Sequence, residues 1–325
     1  MLVIKTQLGG GKIKDKMKLA CIDIGTNSLK LVVADVENQQ ITDVVYQGAA
    51  VTRIGQGVDK NRKLLPEAMD RTLNVIKTSI QEAERIGAQK ITIVATSAVR
   101  DAQNRDEFAQ KVTDRTGLEL LVLSGDEEAK LTYTGTCSYP ELRSGKIILV
   151  DVGGGSSDFV VGQNGEMEDA FSIDTGFIRL TEEFMRSDPV APDELQSTVD
   201  HVKSMLQNRL AAISMDGRHL VGVGGTISCL ANMYQAIYQR MGIRWDNIHG
   251  FVLQRKEITG MLRKLSQMKL EDRQKMPGLP PNRADVIVAG TAIFSVIMEI
   301  LDAKEITVSG RGMRFGVLLS MKELV

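Results

Sequence analysis

An eleven-residue pattern occurs twice in the chain, at the same place in the order of elements, and it limits the fold more than any other feature. DIGTNSLKLVV (Asp23–Val33) laid over DVGGGSSDFVV (Asp151–Val161) matches in Asp, Gly, Ser, Val and Val, five of eleven positions, at an offset of 128 residues. That offset is too long for a solenoid and reads as a duplicated domain. A length of 325 residues agrees, since domains run to about 150 residues each. Each copy lies between two β-rich runs at the start of its half.

The rest of the chain follows the same grammar twice. LACIDIG, LKLVVADV and ITDVVYQGAAVTRI read as an opening meander of three strands. Residues 66–86 space Met69, Leu73, Ile76, Ile80 and Ala83 along one helical face, with Pro66 at the start and Gly87 after the end. Strand ITIVATSAV, a helix over 104–115, strand LELLVLSG and a helix over 125–138 complete the first half. The second opens with KIILVDVGG and a hairpin turning at Asn164-Gly165, then helices near 175–186 and 192–213. Strand HLVGVGG leads into a helix from Thr226, followed by helices over 254–267 and 284–301, strand EITVSG and a last helix, MRFGVLLSMK. Alternating strands and helices behind an antiparallel opening predict an α/β fold with a mixed sheet in each half.

Composition removes several classes. Forty Lys+Arg against 41 Asp+Glu give a net charge of -1, which disfavours a whole-protein grip on nucleic acid or an anionic membrane. The most apolar run, Val286–Met298, has 13 residues where a membrane span needs about 20, so it reads as a buried core helix. The start lacks the apolar core of an export signal, and residues 1–16 read as a flexible extension. The expected location is cytoplasmic. Cys21, Cys137 and Cys229 are too scattered for disulfides or a zinc site, and His201, His219 and His249 sit in unrelated contexts. Chemistry is left to carboxylates, arginine, backbone amides and a hard metal. Residues 254–275 hold seven basic residues against three acidic ones. That is read as a solvated helix face, with a substrate track as the sharper alternative.

The repeated motif suits phosphate. Glycines let successive N–H groups converge into an anion-binding nest, and Ser and Asn add neutral donors. A leading Asp repels phosphate unless a divalent cation bridges them. The candidate loops are Asp23/Gly25/Thr26/Asn27/Ser28 and Asp151/Gly153/Gly154/Gly155/Ser156, facing each other across a cleft; plain glycine turns are the bland reading. A third cluster, Gly224-Gly225-Thr226, would lie at a helix N-terminus, where anions are favoured. Arg100 follows a buried strand, at the edge where α/β ligands bind, and can clamp a phosphoryl group or form a surface salt bridge. In Ser124-Gly-Asp-Glu-Glu128, Asp126 and Glu127 read as helix caps, and one carboxylate is free to orient a water.

DIGTNSLKLVVADV, ATSAVR, VLSGDEEAKLTYTG, ILVDVGGGSSDFVVG, GVGGT and PGLPPNRADVIVAG together span residues 19–290. In kind and order they resemble the exopolyphosphatase/guanosine pentaphosphate phosphohydrolase family. The resemblance implies two ribonuclease-H-like domains of the actin-like ATPase superfamily around a cleft, and release of terminal phosphate from a phosphoanhydride chain. The boundaries expected are 17–134 with 314–325 for the first domain and 135–313 for the second. Carried over by position, Glu128 is the expected catalytic base and Arg100 the phosphoryl clamp. Asp23, Asp151 and Asp158 are expected at Mg²⁺ or Mn²⁺, and Asn27, Gly153 and Gly155 at phosphate. Asp158 stands where the family usually has Glu, and its shorter side chain reaches a metal through water. The expected substrate is inorganic polyphosphate, with guanosine pentaphosphate the nearest rival and an actin- or Hsp70-like nucleotide-binding module further off. No nucleic-acid or membrane partner is expected; a homodimer is left open.

Overall fold

The computed structural model describes residues 16–239 and 248–321, so most of the expected N-terminal extension lies outside the described residues. The first half contains strands β1 (Met17–Ile24), β2 (Ser28–Glu37), β3 (Gln40–Val51), β4 (Lys90–Ala95) and β5 (Leu120–Val122). Between them come helices α1 (Val58–Asn61), α2 (Pro66–Ile86), α3 (Ser97–Arg100) and α4 (Arg105–Thr116), and after β5 come α5 (Gly125–Thr136) and α6 (Pro140–Arg143). The second half contains β6 (Lys146–Val152), β7 (Ser157–Gln163), β8 (Glu166–Ile173), β9 (Arg218–Val223), β10 (Phe251–Gln254) and β11 (Glu305–Val308). Its helices are α7 (Phe177–Phe184), α8 (Pro192–Leu210), α9 (Gly225–Tyr238), α10 (Arg255–Ser266), α11 (Leu270–Arg273), α12 (Ile287–Ile300) and α13 (Met313–Ser320).

The strands form two mixed sheets, ordered β3-β2-β1-β4-β5 and β10-β11-β9-β6-β7-β8. In each, an antiparallel meander continues into parallel strands: β1 pairs with β4, and β6 with β9. The expected turn at Asn164-Gly165 is there, with both residues at positive φ (53° and 83°). The expected strand through Ile54 stops at Val51, because the next residues turn back onto the first loop. The apolar run around Val286 forms α12, which is almost wholly buried in the second-half core. Among the described residues no helix is long and apolar enough to cross a membrane.

Helices cover both faces of each sheet, and two of them cross between the halves. α2 and α4 pack on one face of the first sheet, and the C-terminal α13 returns to cover the other with Phe315, Val317 and Leu318. α5 leaves the first sheet and packs on β7 and β8 of the second. α5 and α13 meet backbone to backbone. A Cβ on Gly316 would run into the Leu131 carbonyl, and one on Gly135 into the Gly312 carbonyl. Nearby, His249 stacks on Tyr139 at an interplanar angle of 9°, and the Arg311 guanidinium lies 3.8 Å from the same ring. His249 is thereby held as a neutral structural residue, its pKa lowered to about 3 by burial and by Arg311.

This contact predicts opposite outcomes for one substitution at two helical glycines. Gly316→Ala forces a methyl against the α5 backbone and should cost about 1–3 kcal/mol. Gly260→Ala in α10, where a Cβ meets nothing within 4 Å, should add about 0.5–1 kcal/mol. Urea denaturation of both variants checks the contrast, and equal stability would contradict the α5–α13 geometry.

Candidate active site

The two motif loops are tight hairpin turns of one design. The Gly25 N–H donates to the Ser28 carbonyl at 3.1 Å, and the Gly153 N–H to the Ser156 carbonyl at 2.8 Å. Their direction is set by what holds their carbonyls. The Asn27 carbonyl accepts from the N–H groups of Thr52 (3.1 Å) and Arg53 (2.9 Å), and the Thr26 carbonyl from Gly55 (3.0 Å). In the second half the Gly153 carbonyl accepts from Phe177 (3.0 Å) and the Gly154 carbonyl from Ile178 (2.9 Å). Each loop is thus tied down by the chain that follows its third strand. The N–H groups of Thr26, Asn27, Gly154 and Gly155 have no acceptor among the described residues and remain for an anion.

The third cluster touches the second loop directly. Gly224, at φ 88°, lies so close to Asp151 that a Cβ there would collide with Oδ1, so only glycine lets the end of β9 rest on this carboxylate. The Arg283 guanidinium packs on Gly225. The Thr226 side chain, by contrast, is buried against Gly290 of α12. The Thr26 hydroxyl is 2.9 Å from that of Ser97, which joins the first loop to α3.

α3 and α5 supply the opposing pair. Arg100 Nη1 donates to Glu128 Oε2 at 3.0 Å and to the Leu123 carbonyl at 3.0 Å. The expected cap is Glu127: its carboxylate accepts from the Ser124 N–H (2.8 Å) while its own N–H donates to Ser124 Oγ (3.2 Å). Capping by Glu127 leaves the next carboxylate, Glu128, for Arg100. Burial raises Glu128 to about 7, with Asp158 and Asp23 pushing it further up and Arg100 opposing. Its side chain is still 32% exposed, so it sits at an open face of the site.

Asp151 and Asp158 face each other in the β6–β7 register, and Asp23 and Lys30 occupy the same positions in β1–β2. Asp151 is raised to about 6, by burial first, with Lys30 and Arg283 opposing and Asp158 and Asp23 adding to the rise. Burial also raises Asp158, against hydrogen bonds from Ser172 and Ser156, and raises Asp23 against Lys30 and Arg314. Lys30 is lowered by burial, with Asp23 and Asp151 opposing. Lys30, Arg283 and Arg314 were absent from the sequence expectations. Lys30 had one available signal, since it follows Asp23 by the same seven residues that separate Asp158 from Asp151. Among the described residues no three His, Cys, Asp or Glu side chains stand close enough together to hold a metal ion by themselves. A cation held by Asp151 and Asp158 would therefore take its other ligands from phosphate oxygens and water, as a hard divalent ion does.

Two helix-flanked mixed sheets, each opening on a copy of the same glycine loop, are the actin-like ATPase architecture. The family model of the Ppx/GppA phosphatase family matches residues 32–324. Exopolyphosphatase 2 of Mycobacterium tuberculosis is 30% identical over 320 residues, covering 94% of this chain and 98% of that protein. The bifunctional 3-dehydroquinate synthase/phosphatase of Fusobacterium nucleatum is 32% identical over 95% of this chain, which spans only 47% of that protein. The crystal structure of the Aquifex aeolicus Ppx/GppA family member superposes with a TM-score of 0.82 at 28% identity, over 95% of this chain and 98% of that one. The chain belongs to the Ppx/GppA phosphatase family, and it is an enzyme, a phosphatase.

The raised carboxylates make stability pH-dependent. Glu128 and Asp151 hold protons up to about 7 and about 6 in the folded state, against 4.5 and 3.8 for their unperturbed groups. The folded state therefore binds more protons than the unfolded chain in between, and that stability is lost as pH rises through the folded values. Metal-free protein should show a Tm that falls from pH 5 to pH 7.5. Asp151→Asn should flatten the fall and raise Tm at pH 7.5; a wild-type Tm independent of pH over this range would contradict these environments.

Proposed function

We propose that the protein is an exopolyphosphatase that releases terminal phosphate from inorganic polyphosphate by in-line attack of water, with Mg²⁺ as its metal. The observation that carries this reading is the convergence of Glu128, raised to about 7, on Arg100 and two loops whose free N–H groups can receive phosphate. The names of its relatives support it, since full-length matches include mycobacterial exopolyphosphatases.

Each residue then has a separate task. Backbone amides of the loops at Asn27 and Gly153–Gly155 hold the terminal phosphates by hydrogen bonds. Glu128, with a proton affinity near neutrality, orients the water and takes its proton as the water oxygen approaches phosphorus. Arg100 uses only Nη1 for its two protein hydrogen bonds, so its remaining N–H groups can stabilise charge on the equatorial oxygens. Lys30 and Arg283 supply fixed positive charge beside Asp151. Asp151 and Asp158 would hold Mg²⁺, which when bound neutralises phosphate charge and favours departure of the bridging oxygen. No covalent enzyme intermediate is required.

The test offers purified protein and Mg²⁺ with long polyphosphate, tetraphosphate, guanosine pentaphosphate and ATP, and measures phosphate release. The expected result is release from polyphosphate, rising with pH as Glu128 ionises near pH 7. Glu128→Gln should lower turnover about 10²–10⁴-fold and leave polyphosphate binding largely intact. Near-normal turnover by that variant would remove Glu128 from its role. Release from guanosine pentaphosphate alone would transfer the same site to the 5′-phosphohydrolase reading.

A further inference from the structure

Three of the basic residues at 254–275 are engaged away from the loops. Arg255 pairs with Asp302, Arg273 is buried on the Leu265 carbonyl, and Lys264 lies over Tyr238 at the end of α9 remote from Gly225. A different basic strip adjoins the first loop, where the Arg53 N–H donates to the Asn27 carbonyl. Resting on the polyphosphate reading above, we propose that Arg53, Arg62, Lys63 and Arg105 form a track for the distal phosphates of a long chain whose end sits at Glu128.

Two backbone conformations single out this strip. Arg53 (φ 49°) and Arg62 (φ 54°) are both left-handed, a region disfavoured for any residue with a Cβ. Arg62 caps the C-terminus of α1, its N–H donating to the Val58 carbonyl at 2.7 Å, a position where glycine is the usual residue. The Arg53 conformation is imposed by its surroundings. Its N–H is bound to Asn27, and Arg71 donates from Nε to the Thr52 carbonyl at 2.6 Å and from Nη2 to the Arg53 carbonyl at 3.5 Å. Arginine persists at two sites where glycine would relieve strain, and both side chains are exposed. Neither forms a salt bridge among the described residues.

Hydrogen bonds tie the strip to the first loop at one end and to the segment around Arg100 at the other. Arg53 adjoins Asn27 through its own N–H. The Arg62 carbonyl accepts from Gln103 at 2.8 Å, and Leu64 makes two hydrogen bonds with the Asn104 side chain (2.8 and 3.1 Å), which seat Arg62 and Lys63 at the start of α4. Arg105 Nη1 donates to the Arg100 carbonyl at 3.2 Å. Asp106 lies 3.7 Å from Arg105, Asp101 the same distance from Arg100, and Glu107 acts on Lys63, so acids trim the charge of the strip, while Arg53 and Arg62 keep no acidic partner among the described residues. A linear polyanion anchored at the loops meets cations as it leaves along this rim. Such a rim would act on the chain beyond the end held at the loops, so long polyphosphate should gain more from it than tetraphosphate does.

The test compares KM for long polyphosphate and for tetraphosphate in R53G/R62G and R53K/R62K. Glycine suits both left-handed positions, so the first variant should fold at least as stably as wild type, which thermal denaturation checks. The expected result is a long-to-short KM ratio raised about tenfold in R53G/R62G, with a weaker dependence of long-chain KM on salt. R53K/R62K, which keeps charge and backbone strain, should restore both. An unchanged ratio, or an equal rise in both KM values, would overturn the track. Absence of phosphate release from any polyphosphate by the wild type would instead sink the reading on which it rests.

Discussion

Four carboxylates brought into one gap are the constraint around which this structure is arranged. Asp23, Asp151, Asp158 and Glu128 each have a raised pKa, with burial as the first cause, and Asp158 and Asp23 add to the cost at both Glu128 and Asp151. Such a cluster in a poorly solvated space stays ionised only if cations stand beside it. Lys30, Arg100, Arg283 and Arg314 lower the values of one or more of the four. With four groups of each sign, the gap carries little net charge. On the reading proposed above, an anionic substrate end would call for extra positive charge, which a divalent ion held by Asp151 and Asp158 would bring.

The duplicated hairpins share geometry and differ in charge. Both close with the same N–H to carbonyl bond, both are tied down by the chain after the third strand, and both set residues seven apart face to face. In the second copy those residues are Asp151 and Asp158, suited to an external cation. In the first they are Asp23 and Lys30, so a covalently attached ammonium already occupies the equivalent place. One hairpin design thus carries an acidic pair in the second half and a self-neutralised pair in the first.

Much of this was legible in the sequence, because the relevant signals are local. The repeat, the glycine turns, the position of Arg100 after a buried strand and the capping role of Glu127 depend on neighbours a few residues away. Arg283 and Arg314 were not, since they act on Asp151 and Asp23 from distant segments, and Lys30 was marked only by the seven-residue spacing it shares with Asp158. The carbonyl ties at 52–55 and 177–178 were equally hidden, because nothing in TRIG or FI announces which carbonyl those N–H groups will meet. The basic run at 254–275 was conspicuous by count alone. The rim at 53–63 is marked instead by two left-handed arginines, a property of backbone that composition does not carry.

The α5–α13 contact explains how so exacting a site can span two sheets. Glu128 stands on the first turn of α5, and Gly135 near its last turn lies against Gly312 and Gly316. Arg314, which acts on Asp23, stands on α13 between those same glycines. Helices separated by long side chains can slide as rotamers change, but two backbones in direct contact meet steric resistance at once. The carboxylate on α5 and the guanidinium on α13 are therefore set relative to each other by main chain. Each helix also covers a different sheet, so any movement of one half against the other must either carry this pair as a unit or break it. Placing glycine at the crossing thus keeps Glu128 on one helix in register with the Arg314 that acts on Asp23 from the other.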